Sequence, residues 1–382
     1  MRIALYNVEL KDDLIPVPYI PKSKCIREFK GKYMSSIVGG VYDNGRVLRA
    51  DAILQFTCTD IDYKIIKSQY KFDMEIITVA TARYGKLPQP LRECVLDYYK
   101  KKTDLKDKPS DTEHDAEFYR LIYGKMKALL NSQYGMMAQD PVKVVTEYHA
   151  EMDELYKDKD CIPQELLEEH NRKAFLVYQW GCWVTSRARE HLQSGIDLCG
   201  LDFVYCDTDS CKYIGNNVDW DILNKEAIKT AEKDNTYAID PNGKKHYMGL
   251  FEIEDHMKEF KTLGAKKYAY IDDDNKLHIT IAGVNKKIGA IELKRAASVK
   301  YGPPEDPLIY MDPGFKFTYA GGLEARYSDH PEDKGITEYI TEDGVPIRIT
   351  RNVSLVPNSK TLGITGEYRE LLEISHKMRI DL

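Results

Sequence analysis

The sequence predicts an α+β fold: a mixed or antiparallel sheet with helices on one face, a helical hairpin, and a small β-rich region towards the C-terminal end. Three stretches carry that prediction. Phe203–Tyr213 sets two apolar runs around a short acidic centre, the pattern of a β-hairpin with Asp207 and Asp209 at its tip. Phe118, Leu121, Ile122, Met126 and Leu129 recur at helical spacing. Phe260–Ile271 alternates as a strand, and residues 273–276 turn it into a partner at Leu277–Ala282.

Composition sets the limits. A chain of 382 residues fits two or three domains, and 43% hydrophobic residues with 10% aromatics suffice for sizeable cores. The eight cysteines show no Cys-x-x-Cys spacing, which argues against zinc or a disulfide framework and for a reducing compartment. Cys206 and Cys211 read as small hydrophobes rather than reactive thiols. No apolar run reaches the roughly 18 residues of a membrane span, and the first residues do not form a signal peptide, so a cytoplasmic protein without a membrane partner is expected. The net charge of −6 confines any nucleic-acid contact to local basic patches.

In chain order, residues 1–90 read as mostly β. Ile15–Pro21 is stiffened by three prolines and is unsuited to a central strand. Val41–Val47 contains Asn-Gly, the dipeptide of a tight hairpin turn. Asp60 is placed to cap a helix running to about Tyr70, and Glu75–Arg83 returns as a strand. Residues 91–139 form two helices about the polar linker Lys108–Thr112. The first ends in Lys100-Lys101-Lys102, by default a solvated run favoured by the helix dipole.

On the second helix Arg120, Tyr123, Lys127, Asn131 and Tyr134 fall within an arc of roughly 80°, with the apolar residues named above on the far side, expected to be buried. Cations, a carboxamide and rings along one line suit a nucleoside triphosphate, although an ordinary polar face has the same outline. Gly135 either admits a ligand closely or stops the helix. Residues 140–174 look acidic and helical, an insertion that would repel DNA. Phe175–Val184 opens a buried element that continues as a helix to about Leu198, with Arg187 and Arg189 as ion-pair candidates. Trp220–Asp234 is a further helix. From 295 onward prolines and short strands indicate the small β-rich region, with a short helix from Gly366 to about Lys377.

If the backbone at the hairpin tip stays extended, the period of two turns both Asp207 and Asp209 the same way, and a cation between them relieves their repulsion. Asp-x-Asp alone is common turn chemistry. Tyr205-Cys206-Asp207-Thr208-Asp209-Ser210 as a whole resembles the palm motif of family B DNA polymerases. Lys127-x-x-x-Asn131-Ser132-x-Tyr134-Gly135 is similar to their fingers motif, and Lys266-Lys267-Tyr268 to their Lys-x-Tyr motif. Within that family the pattern resembles the protein-primed phage enzymes, over residues 1 to about 325.

The resemblance implies a partial palm and β-rich insertion over 1–90, helical-hairpin fingers over 91–139, palm over 175–294, and thumb plus tail over 295–382. It implies template-directed addition of dNMP to a primer 3′ end, with two Mg²⁺ (or Mn²⁺) ions held by Asp207 and Asp209. Lys127 would meet the triphosphate, and Asn131, Tyr134 and Gly135 the nascent base pair. Lys266, Tyr268 and Lys100 would contact primer-template DNA, the first two sharing a strand face.

The family's earlier Asp-x-x-Ser-Leu-Tyr-Pro motif, which supplies another metal-binding carboxylate, has no counterpart in residues 1–126, and no exonuclease motifs precede it. The chain alone is therefore expected to be inactive or nearly so, the C-terminal part of a split or truncated polymerase that completes its site with a separate N-terminal polypeptide. The alternative is a catalytically inactive DNA-binding or regulatory remnant. Reverse transcriptases fit less well, because they carry adjacent aspartates at the hairpin tip.

Overall fold

The computed structural model describes residues 1–12, 14–21, 28–29, 32–33, 41–43, 45–50, 53–83, 85–106, 108–138, 146–149, 154–157, 163–174, 177–301, 306–327, 336–340, 346–350 and 353–363. They fall into two compact units, Met1–Val142 with Pro163–Glu252, and Lys143–Ile162 with Ile253–Leu382. Every strand pairing among the described residues is antiparallel, and the expected single sheet is divided among several small ones. No helix among them is long and apolar enough to cross a membrane.

In the first unit the strand Arg2–Leu10 is the spine of a five-stranded sheet. Leu54–Thr57 pairs with its first half and Arg46–Ala50 with its second, while Tyr70–Thr78 runs along the opposite edge. A bulge at Asn7, φ 52°, re-aims that spine, and the Asn7 amide donates to Asp73 at 2.8 Å. Helix α1, Asp60–Gln69, covers a core of Ile3, Leu5, Val8, Ile20, Val47, Leu54 and Ile66. Thr59, not Asp60, caps it: the Thr59 hydroxyl accepts from the Asp62 amide while the Asp62 carboxylate accepts from the Thr59 amide.

The strand expected over Glu75–Arg83 lies earlier, at Tyr70–Thr78. Burial explains the shift. Tyr70 is 1% exposed and its hydroxyl donates to the Val47 carbonyl at 2.8 Å, so the chain turns into the sheet there. Ile15–Pro21 stays off the main sheet and makes one bridge, Pro21 to Arg46. Val41–Asp43 pairs with Arg46–Ala50 around Gly45, φ 75°, as the Asn-Gly dipeptide foretells, though Asn44 lies outside the described residues.

Helices α2, Gln89–Asp104, and α3, Glu113–Met137, pack together as the expected helical hairpin. Part of the expected apolar face of α3 is solvent-facing: Phe118 is 51% and Leu121 68% exposed, while Ile122, Met126 and Leu129 are partly covered. Helix α4, Pro163–Lys173, keeps the helical character expected for 140–174. Thr146–His149 and Glu154–Lys157, which belong to the second unit, form an antiparallel strand pair instead. Their Tyr and Thr content favours the pleat over the helix that the acidic residues imply.

Helix α5, Tyr178–Cys199, absorbs the stretch read as a separate buried element. Val177 and Tyr178 are exposed, and burial in that turn is confined to Gly181, where a Cβ would lie 3.2 Å from those of Met137 and Ala138. Residues 175 and 176 lie outside the described set. Helix α6, Asp221–Asp234, then packs against the small hairpin of Tyr237–Ile239 and Lys245–Tyr247.

In the second unit the stretch read as one strand over 260–271 is two. Met257–Thr262 and Lys267–Asp272 pair with each other, and Leu277–Ile281 adds a third strand. The chain reverses through Leu263–Lys266, with Gly264 at φ 109° and Lys266 at φ 54°. Helix α7, Lys286–Tyr301, packs on this sheet around Ala269, Leu277, Ile279 and Leu293 and crosses the boundary drawn at 294. Beyond it lie three nested strand pairs, 316–317 with 360–361, 323–327 with 353–357, and 336–340 with 346–350. The helix expected from Gly366 lies outside the described residues.

Candidate active site

The acid-tipped hairpin forms as the sequence predicts. Phe203–Asp207 pairs with Ser210–Tyr213, and Asp207 faces Ser210 across a two-residue turn of Thr208 and Asp209. The tip is not extended. Thr208 sits at φ 58°, and the Asp209 amide donates to the Asp207 carbonyl at 2.7 Å, a tight three-residue turn. A β-branched residue in the left-handed region is a strained outlier that surrounding structure must hold in place. Period-two alternation therefore does not set the direction of the two carboxylates.

Asp207 is half-buried and accepts from the Thr208 hydroxyl at 2.9 Å. Asp209 is exposed, and no ion pair engages its carboxylate among the described residues. No third metal-binding group joins the two acids among the described residues. The pair can hold one hard cation with water and phosphate oxygens completing its shell. Two ions need more oxygen ligands than these two side chains supply.

Helix α5 backs the hairpin. A Cβ on Gly195 would lie 2.7 Å from the Phe251 ring and 3.4 Å from the Cys211 sulfur, so glycine permits this approach. Phe251 stacks on His191 at 4.2 Å between ring centroids and lies 4.8 Å from Trp220, which in turn meets Tyr213 of the hairpin. Asn224 grips the Phe251 backbone through both ends of its amide, at 2.8 and 2.9 Å. Burial pushes the Cys211 thiol up to about 12, as expected for an unreactive small hydrophobe, and raises that of Cys206 as well. Burial also lowers the His191 imidazole pKa.

Upstream, the Asp62 carboxylate accepts from the Arg189 guanidinium at 2.9 and 3.1 Å and from Ser186 at 2.9 Å, and Tyr19 donates to it too. Burial alone would raise this carboxyl, but hydrogen bonds from Tyr19 and Thr59 and the Arg189 charge outweigh it and hold it below the usual range. Of the two expected arginines, Arg189 thus ties α5 to α1, whereas Arg187 bonds Glu190 one turn along its own helix.

Lys127, Asn131 and Tyr134 are all exposed along one face of α3. The structure brings Lys127 and Lys106 close enough to Lys102 for their charges to act on it. Burial first, then the Lys127 and Lys106 charges, lower the pKa of Lys102, with Glu252 opposing. The Lys102 ammonium lies 5.0 Å from the Tyr99 ring centroid. Sequence reasoning chose Lys100 from this run. The signal for Lys102 was available, since it follows Val95 and Tyr99 on the stripe of α2 that faces inward. Gly135 is no helix stop, because α3 continues to Met137, and a Cβ there would meet nothing within 4 Å.

Lys266 and Tyr268 belong to the second unit. They do not share a strand face, because Lys266 lies in the turn while Tyr268 is the second residue of its strand, opposite Thr262 and Thr280. Lys100 lies on the side of α2 away from Lys102, in a cleft with Asn235 and Tyr237.

Antiparallel sheets, a helix-backed acidic hairpin and a cation-bearing helical hairpin define a DNA-polymerase-like fold. The same fold is found in the solved structure of Phi29 DNA polymerase complexed with primer-template DNA, at a TM-score of 0.52 and 18% identity, over 94% of this chain and 50% of that one. An orthorhombic crystal form of Phi29 DNA polymerase is also similar, with a TM-score of 0.49, 18% identity and the same coverage. The chain thus spans about half the length of these structures. No protein-family model matches it, and no curated protein matches either.

Proposed function

We propose that this chain provides the fingers, palm and thumb of a family B DNA polymerase of the protein-primed phage type. It would extend a primer 3′ end by one dNMP per step, the 3′ oxygen attacking the α-phosphate of the dNTP and pyrophosphate leaving. The observation that carries this reading is the half-buried Lys102 under the charges of the exposed Lys106 and Lys127, in the same compact unit as the Asp207–Asp209 hairpin. Mutually repelling ammonium groups gain most from a polyanion, and a triphosphate supplies one. Lys127 and Lys102 would hold the β- and γ-phosphates while Asn131 and Tyr134 meet the base pair being formed. Lys266 and Tyr268 would bear on primer-template DNA.

Asp207 and Asp209 would hold Mg²⁺, which when bound would neutralise charge on the transferring phosphate. The further carboxylate that a pair of ions requires would come from outside the described residues, on an N-terminal polymerase and exonuclease polypeptide acting in trans or on a further segment. The hairpin pairs as a two-stranded sheet among the described residues, and such a segment would join it as a third strand.

The test is primer extension with Mg²⁺ in the presence of a polypeptide bearing Asp-x-x-Ser-Leu-Tyr-Pro. Asp209→Asn is expected to lower extension by about a hundredfold or more, the scale on which charge-stabilising groups act. Lys127→Ala is expected to raise the KM for dNTP by about tenfold, the loss of one charge-assisted phosphate contact. Extension that survives Asp209→Asn rejects the assignment. The second reading, a DNA-binding or regulatory remnant, is favoured by the two-carboxylate seat. It predicts salt-sensitive primer-template binding that ignores Asp207 and Asp209, with no extension under any complementation.

A further inference from the structure

Behind α2, on the side away from the Lys102 group, lies a cleft of about 500 Å³ lined by Lys100, Lys101, Asp104, Asn235, Tyr237 and Ile239. The carboxylates around it are already matched. Asp97 holds Lys101 at 2.7 Å, Asp104 holds Lys108 at 3.3 Å, and Asp234 holds Lys86 at 3.0 Å. Lys100 makes no ion pair among the described residues and stays exposed, which leaves the cleft one uncompensated positive charge. Lys245, paired with Glu232 at 2.8 Å, lies 4.5 Å from the centroid of the Tyr237 ring, and Tyr247 lies 5.8 Å from it, so the ring is held in place by its own hairpin. Ile239 is 53% exposed, an apolar side chain with nothing over it. Asn235, held at φ 54° as the left-handed cap of α6, adds an amide at the rim.

An aromatic ring, an open apolar side chain, an amide and a free amine within one nucleotide-sized cleft are the elements of a stacking platform with a phosphate anchor. A duplex would offer its phosphates to Lys100 but keep its bases paired, leaving Tyr237 and Ile239 without a partner. We propose that this cleft binds a single-stranded segment of DNA, with a base against Tyr237 and Ile239 and the adjoining phosphate on Lys100. The choice of DNA rests on the polymerase reading above. The resemblance already gives Lys100 a DNA contact; the cleft adds a single-stranded partner and a place for its base on Tyr237 and Ile239.

Fluorescence anisotropy on the full chain tests it, with a labelled oligothymidine and a blunt duplex of equal length, each over a range of salt. Lys100→Glu is expected to weaken oligothymidine binding about tenfold and to reduce the salt slope by about one, leaving duplex binding unchanged. Lys100→Arg is expected to retain it. Tyr237→Leu is expected to weaken it about tenfold as well. Lys100 is exposed, so its variants are expected to keep the wild-type melting temperature even where Tyr237→Leu does not. Equal losses on both DNAs, no loss with Lys100→Glu, or displacement of oligothymidine by free dAMP at equal concentration would each overturn the proposal. Intact, Lys100-dependent oligothymidine binding together with no extension under any complementation would reject the polymerase reading and leave this site standing.

Discussion

Asp62 shows how one residue can set the strength of a lobe. It is 5% exposed, caps α1 through Thr59, and takes both Arg189 bonds from α5, so its loss leaves several donors without an acceptor. Removing one partner of a buried pair costs about 3–5 kcal/mol. The Arg189 side chain is 48% exposed, so solvent screens part of that, and about 2 kcal/mol is expected for Asp62→Asn. The pH dependence has a definite sign. A carboxyl held below its unfolded pKa of about 3.9 contributes stability above that pH and loses it as pH falls through the folded value. The gap in Tm between wild type and Asp62→Asn is therefore expected to be full at neutral pH and to narrow below about pH 4, as thermal melts over an acid series would record.

At the scale of elements, α5 is the part on which the hairpin depends. Its Gly195 faces a Phe251 ring that cannot step aside, because Asn224 fixes its backbone and His191 and Trp220 flank its ring. Gly195→Ala is expected to destabilise by about 1–3 kcal/mol, the usual penalty of overpacking, and to change the near-UV circular dichroism of Trp220. An unchanged near-UV spectrum would mean that the ring cluster yields freely. Helices α2 and α3 divide their labour by phase. Lys102 and Lys100 are two residues and about 200° apart, so one run of lysines faces two different surfaces.

At the scale of the whole molecule, each unit contains its own core, one around Ile3, Leu5 and Val47 and the other around Ala269, Leu293 and Phe317. Units with separate cores open separately, so a single two-state transition is not expected. Gly321 provides the test in the second unit. A Cβ there would lie 2.3 Å from the Asn358 carbonyl oxygen, a clash with backbone that no side-chain rotation relieves. Gly321→Ala is expected to lower hydrogen-exchange protection in Met257–Thr262 and Leu277–Ile281 while leaving Arg2–Leu10 unchanged, and Asp62→Asn to do the reverse. Equal loss of protection in both units from either variant would show that they unfold as one.

Local pattern settled what depends on neighbours in the chain. The acidic hairpin, the paired helices and the exposed row of Lys127, Asn131 and Tyr134 follow from alternation, capping residues and helical phase, each a matter of a few consecutive residues. Contacts between distant residues settled the rest. The stretch 260–271 alternates like one strand, and only pairing between its halves reveals the reversal at Leu263–Lys266. Lys102 feels the charge of Lys127, 25 positions away in sequence, and the strained Thr208 is held by the hairpin it closes rather than by its own preference. Periodicity reports which face a residue takes, but burial, charge coupling and backbone strain belong to pairs of residues that the chain brings together only when it folds.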